Sequence, residues 1–116
     1  MEARLFLAKI TRVIDGDTFE ADIDLGFFIH HITRFRLMGV DTPEITGVNK
    51  ADGFISTDYV RGVIEGKEFW IKIYKLDKYG RYVADIYPWG YGDKNDMKSL
   101  SNDLIERGLA RRVDYD

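Results

Sequence analysis

Three short stretches of this 116-residue chain place acids and arginines beside turn-forming residues: Asp15-Gly16-Asp17-Thr18, Arg36 followed by Asp41-Thr42-Pro43-Glu44, and Asp77-Lys78-Tyr79-Gly80-Arg81. Asp17 and Asp41, with a backbone carbonyl such as that of Thr42 and water, make an all-oxygen set suited to a hard cation such as Ca²⁺ or Mg²⁺. Neither histidine nor cysteine is needed. Arg36 and Arg81, aimed at one point, offer planar forks matched to phosphate oxygens. Glu44 is of the right type to take a proton from an attacking water. Together these are the groups that phosphodiester hydrolysis needs, because its transition state gathers negative charge on oxygens bound to phosphorus. Each stretch alone also reads as a solvated turn, since Asp favours positions beside Gly for local hydrogen bonding.

Convergence of the three stretches makes demands on the backbone. Arg36 and Asp41 are five residues apart, so a straight strand would send them to opposite faces. The strand must therefore bend or end near Gly39. Beyond that point Pro43 fixes its own φ and restricts Thr42 to extended conformations, which makes a short rigid loop. Leu5 to Ile14 reads as a first strand, and Asp15-Gly16 is a hairpin signal. From Thr18 to Leu25, Phe19, Ala21 and Ile23 alternate with Glu20, Asp22 and Asp24, the period of a half-buried strand. A third strand is expected over Ile29 to Val40, after a turn around Gly26.

From Ala51 to Glu65 the period changes to that of a helix, with Ile55, Tyr59, Val60, Val63 and Ile64 on its apolar side, Asp52 near its start and Gly66 at its end. Strands follow over Lys67 to Leu76 and from Arg81 to about Pro88. A second helix is expected from about Met97 to Arg107, with Leu100, Leu104 and Ile105 inward and Gly108 as its stop. Five strands and two helices in one compact chain suggest a small OB-type barrel, mainly β, with two packed α-helices. A five-stranded mixed sheet covered by two helices would give the same pattern.

Composition narrows the class. The length suits a single domain spanning 1–116, and 45% hydrophobic with 14% aromatic residues make it globular. The absence of cysteine excludes disulfides, zinc-thiolate sites and thiol nucleophiles. A net charge of −3 and a pI near 5.4 count against bulk electrostatic binding of nucleic acid, so any polyanion must be met locally. Arg34, Arg36, Arg81, Arg107, Arg111 and Arg112 are the local means. The apolar run Leu5-Phe6-Leu7-Ala8 stops at Lys9, too short for a signal-peptide core or a membrane span. A soluble monomer is expected, secreted or cytoplasmic.

The chain resembles the staphylococcal nuclease-like (thermonuclease) family from about Ile10 to Ala110. The resemblance rests on Val13-Ile14-Asp15-Gly16-Asp17-Thr18, on Phe35-Arg36-Leu37 leading to Val40-Asp41-Thr42-Pro43-Glu44, on Asp77-Lys78-Tyr79-Gly80-Arg81, and on Leu104 through Gly108-Leu109-Ala110. It implies a five-stranded OB-fold barrel and a Ca²⁺-dependent endonuclease that cuts DNA and RNA, preferably single-stranded, and leaves 3′-phosphates. By matched position, Asp17 and Asp41 resemble the carboxylate ligands of calcium and Thr42 its carbonyl ligand. Asp15 resembles a supporting acid, Glu44 the general base, and Arg36 and Arg81 the pair that grips the scissile phosphate. Lys78 and Tyr79 resemble contacts to a neighbouring terminal phosphate. Members of the family often continue past Gly-Leu-Ala into a third helix with nearby base-stacking tyrosines. Here Arg111 to Asp116 follow, leaving Tyr115 as the stacking candidate. A non-catalytic module that binds single-stranded nucleic acid or a protein on the same scaffold is the alternative; it has no need to keep Asp17, Arg36, Asp41, Glu44 and Arg81 together. His30 and His31 are expected at the surface, and Trp70, Tyr74 and Trp89 in the core or on a sheet face. The Arg107, Arg111 and Arg112 group is read first as a helix-end and solvation effect.

Overall fold

A computed structural model describes residues 3–43, 50–90 and 98–113 of the chain. Strands β1 (Arg4–Asp15), β2 (Thr18–Asp24) and β3 (His30–Leu37) form an antiparallel meander. After β4 (Val40–Asp41) and helix α1 (Lys50–Ile64) come β5 (Glu68–Leu76) and β6 (Tyr82–Ile86), then helix α2 (Leu100–Glu106) and β7 (Arg111–Arg112). The five long strands close into a barrel in the order β1-β2-β3-β6-β5, with β3 and β6 parallel and the other pairs antiparallel. Closure pairs every long strand on both sides and so removes open edges. The OB-type barrel with two packed helices is thus the observed fold. None of the described helices is long and apolar enough to cross a membrane.

The period-2 pattern of β2 is realised as read: Phe19, Ala21 and Ile23 are buried while Asp24 is exposed. Phe19 stacks on Phe35 with ring centroids 5.5 Å apart, and Phe35 meets Tyr82 at 5.9 Å, so one aromatic column ties β2, β3 and β6 together. Helix α1 docks on β1 through its C-terminal end, where Ile10 accepts from the Gly66 N–H at 2.7 Å and donates to the Lys67 carbonyl at 2.8 Å.

Several boundaries and faces differ from the sequence expectation. The third strand ends at Leu37, not Val40, because Met38-Gly39 turns with Gly39 at φ +74°. The last barrel strand stops at Ile86, so Trp89 lies beyond it, half-exposed, whereas Trp70 stands half-exposed on the face of β5, one of the two places expected for it. On α1 the inward stripe runs through Gly53, Ser56, Thr57, Val60 and Ile64, and Ile55 is 57% exposed. Small polar residues took the inward positions there because the helix packs close to the chain after α2, where the Ser56 hydroxyl donates to the Leu109 carbonyl at 3.0 Å. Helix α2 starts at Leu100, since the Ser99 hydroxyl oxygen caps it by accepting the Asn102 N–H at 3.1 Å. Met97 lies outside the described residues.

The β2–β3 connection is unusual. The Ile29 N–H donates to the Gly26 carbonyl at 2.9 Å, and both central residues, Phe27 and Phe28, have positive φ (56° and 60°). That is a type I′ turn, whose usual occupants are Asn and Gly. For a residue with a Cβ the left-handed region costs roughly 1–2 kcal/mol.

Helix α2 is anchored by Asp103, a buried carboxylate. Tyr59 of α1 donates its hydroxyl to it, and Arg107 Nε and Lys98 Nζ approach at 3.1 and 3.3 Å. Burial opposes the charge, but the hydrogen bonds from Tyr59, Arg107 and Lys98 outweigh it and hold the carboxyl below its ordinary range. Replacing Asp103 with Ala leaves these donors without their acceptor and should cost about 3 kcal/mol in urea denaturation at neutral pH. A depressed carboxyl stabilises fully above its unfolded value and loses that contribution as pH falls through the lower folded value. The difference between wild type and Asp103→Ala should therefore shrink below about pH 4.

Candidate active site

The β1–β2 hairpin delivers Asp17 to the rim of the barrel. Asp15 pairs with Thr18 across the turn, and Asp15 Oδ1 accepts the Asp17 N–H at 3.1 Å. The Asp17 carbonyl accepts the Leu37 N–H at 2.8 Å, which fastens the turn to the end of β3. Gly16 lies against Thr42 so closely that a Cβ there would sit 2.8 Å from Thr42 Oγ1 and 2.9 Å from its Cγ2. Only glycine lets the two segments approach this far.

Arg36 joins the pieces. Its Nη1 lies 2.6 Å from Asp17 Oδ2, and its Nη2 donates to Asp41 Oδ1 at 2.9 Å. Asp17 Oδ2 also accepts the Thr42 N–H at 3.0 Å, and Asp17 Oδ1 accepts the Thr18 hydroxyl at 3.1 Å. The break at Gly39 is what brings Arg36 and Asp41, five residues apart, to one point. Asp17, Arg36, Asp41 and Thr42 therefore form one cluster, with Asp15 behind Asp17.

The two acids of the hairpin divide the charge between them. Burial pushes the Asp15 carboxyl up to about 6, and its hydrogen bond to Asp17 and repulsion from that carboxylate add to the rise. For Asp17, burial acts in the same upward direction, but the bond to Asp15, the Arg36 charge and the Thr42 N–H bring its carboxyl below the usual range. Asp17 is thus the anion of the pair, and Asp15 holds a proton under mildly acidic conditions.

The donor set suits a hard cation. Asp17 and Asp41 both reach one guanidinium, so a single cation in that position meets oxygens of both, and the Thr42 carbonyl belongs to the same turn. No group of three or more His, Cys, Asp and Glu gathers at one point among the described residues. Glu44 lies outside the described residues, as does Tyr115.

Arg81, expected as the first strand residue, immediately precedes β6, the strand paired with β3 in a register that sets Arg36 opposite Val83. Asp77 holds it at both ends, accepting the Arg81 N–H and Nε–H at 2.9 Å each and also the Tyr79 N–H at 2.9 Å. The Tyr79 ring stands exposed between Lys78 Nζ and the Arg81 guanidinium, each 5.3 Å from its centroid. This second cluster is linked to the first by strand pairing.

Sequence reasoning missed Arg111 as a site residue. Arg111 Nη2 donates to Asp41 Oδ2 at 3.0 Å, because β7 pairs antiparallel with β4 and sets Arg111 opposite Asp41. A cleft of about 590 Å³ opens beside them, lined by Asp41, Thr42, Pro43, Arg111 and the Gly108–Ala110 backbone. Asp77 lay within a recognised motif without a role; an acid two residues ahead of an exposed turn residue was the available signal.

A closed five-stranded barrel with paired acids, a part-buried arginine and a second arginine after the β5–β6 turn is an OB-type domain. The chain belongs to the staphylococcal nuclease homologue family, whose model matches residues 34–116. It is 32% identical over 80 residues to an uncharacterized endonuclease of Escherichia coli, covering 68% of this chain and 46% of that protein. It is 34% identical over 84 residues to a staphylococcal-like nuclease of Arabidopsis thaliana, covering 72% and 23%. An uncharacterized protein of Methanocaldococcus jannaschii is 26% identical over 129 residues, covering 91% and 58%. The chain therefore spans less than two thirds of the length of these relatives.

The raised carboxyl of Asp15 has a measurable consequence. A carboxyl whose folded value lies above its unfolded one costs stability as pH rises from about 4 through 6, and the full cost remains at neutral pH. Asparagine keeps the acceptor for the Asp17 N–H and donates to Asp17 without charge. Without added metal, Asp15→Asn should therefore be more stable than wild type at pH 7 by on the order of 2 kcal/mol. Denaturation at pH 4 should show the two nearly equal.

Proposed function

We propose that this domain is a Ca²⁺-dependent endonuclease that hydrolyses phosphodiester bonds of DNA and RNA, preferring single strands and leaving 3′-phosphate ends. The observation that carries the reading is the Arg36 guanidinium held between Asp17 and Asp41, with the Thr42 N–H on the same Asp17 oxygen. A buried cation and two carboxylates at a barrel rim beside an open cleft suit a phosphate and a hard metal together. Relatives named as an endonuclease and a nuclease support the coarser part of this reading, a nuclease.

In this mechanism Asp17, Asp41 and the Thr42 carbonyl hold calcium, which when bound supplies positive charge to the phosphoryl oxygens. Arg36 turns its fork from the carboxylates to the scissile phosphate, and Arg81, preset by Asp77, grips it from β6. Both guanidiniums stabilise the extra charge of the transition state more than that of the ground state. Glu44 takes a proton from the attacking water as the bond from phosphorus to the 5′ oxygen breaks, and the departing oxygen takes a proton from solvent, leaving a 3′-phosphate and a 5′-hydroxyl. Lys78 and Tyr79 hold a neighbouring phosphate, and Tyr115 stacks on a base.

The purified protein should cleave single-stranded DNA and RNA with Ca²⁺ and stop on addition of a chelator. Arg36→Ala and Arg81→Ala should each lower the rate by on the order of 10²–10³, and Glu44→Gln by about 10²–10⁴. End-labelled products should carry 3′-phosphates; 5′-phosphate ends would replace this mechanism with another. No cleavage by the intact protein with Ca²⁺, Mg²⁺ or Mn²⁺ would leave a nucleic-acid or protein-binding module as the reading.

A further inference from the structure

The end of the barrel away from the acids carries an apolar knob and an apolar hole side by side. The β2–β3 hairpin runs from the site, where Thr18 pairs with Arg36, to the opposite end, where Asp24 pairs with His30, roughly 20 Å away at strand rise. At its tip Phe27 and Phe28 are 93% and 103% exposed, flanked by the half-exposed Leu25 and Ile29. Both phenylalanines are held in the left-handed region, so the turn keeps a strained conformation that projects two rings into solvent. Nothing in the proposed chemistry uses them.

Beside this knob the barrel mouth opens into a cavity of about 290 Å³ lined by Phe6, Ile23, Leu25, Ile73 and Tyr82. An apolar cavity of about 150 Å³ already holds a benzene ring, so there is space for a phenyl side chain. Arg4 and His31 also line the hole. The neck of the knob carries Asp24, exposed and accepting the Gly26 N–H at 2.8 Å. The knob is therefore apolar with an acidic neck, and the hole is apolar with an arginine at its lining.

We infer that this face joins two copies of the chain, with the Phe27-Phe28 tip of each seated in the barrel mouth of the other. The match of size and of charge, Asp24 of one copy toward Arg4 of the other, lies on one molecule, and a two-fold axis satisfies both reciprocal contacts at once. An acidic neck disfavours both an anionic lipid surface and nucleic acid as the occupant. The Asp17–Arg36 cluster stays clear of this contact, since it lies at the other end of the β2–β3 hairpin.

Sedimentation velocity of the full chain, from low micromolar to several hundred micromolar, tests this. Wild type should move from monomer to dimer across that range. Phe27→Asn with Phe28→Gly installs the preferred type I′ pair and so keeps the fold; it should stay monomeric with a thermal midpoint at or above that of wild type. Arg4→Glu should weaken association about tenfold or more. A wild type that is monomeric throughout would overturn the inference, as would a double variant that dimerises like wild type or an Arg4→Glu protein of unchanged affinity. Flotation of monomeric wild type with phosphatidylcholine vesicles, lost in the double variant, would assign the tip to a membrane surface and overturn it as well.

Discussion

A guanidinium with little access to water must be met by anions, because an uncompensated buried charge costs several kcal/mol. Arg36 has 11% of its side chain exposed and finds Asp17 and Asp41 at its two Nη atoms. Much of the rim can be read as the means of keeping those three together. The hairpin glycine lets Asp17 come up against Thr42, the Asp17 carbonyl ties the turn to the end of β3, and the left-handed Gly39 reverses the chain so that Asp41 faces back toward Arg36. Removing either acid leaves the arginine half-compensated, and removing the arginine leaves two carboxylates facing each other.

The same cluster explains how an acidic protein can be suited to a polyanion. The net charge of −3 spreads over the whole surface, whereas the forces that position a phosphate act within a few ångströms. Asp17 and Asp41 are balanced by Arg36 and Arg111 together, and a divalent cation added there leaves an excess of positive charge. On the proposed function, metal and substrate then favour each other's binding, since each supplies the charge the other lacks.

Much of the barrel was legible in the residues because its signals are local and periodic. Alternation in β2 placed Phe19, Ala21 and Ile23 inward, and the odd spacing of Arg36 and Asp41 required a break that Gly39 supplies. The site was legible to the same extent: Asp17, Arg36, Asp41 and Thr42 come together, whereas Glu44 and Tyr115 fall outside the described residues. What escaped depends on contacts between distant segments. Ile55 seemed part of an apolar stripe, but close packing of α1 selected Gly53, Ser56 and Thr57 for the inside instead. Arg111 stood out only as one of several arginines, since strands of two residues have no period and its place beside Asp41 follows from the pairing of β4 with β7. The Phe27-Phe28 turn was hidden because the residues that normally announce it, Asn and Gly, are not there.

That pairing of β4 with β7 also orders events in time. Asp17, Arg36 and Asp41 lie within 25 residues and can meet as soon as the first hairpins form, whereas Arg111 stands 70 positions beyond Asp41. Loop closure over such a separation is slow and comes late. Helix α2 precedes β7, and its end is set by a Schellman arrangement in which the Leu109 and Gly108 N–H groups donate to the Leu104 and Ile105 carbonyls at 2.9 and 3.0 Å. The contact that backs Asp41 is thus supplied by the most distant segment of chain in the cluster, and it is the one whose loss to local opening frees that carboxylate without disturbing the barrel.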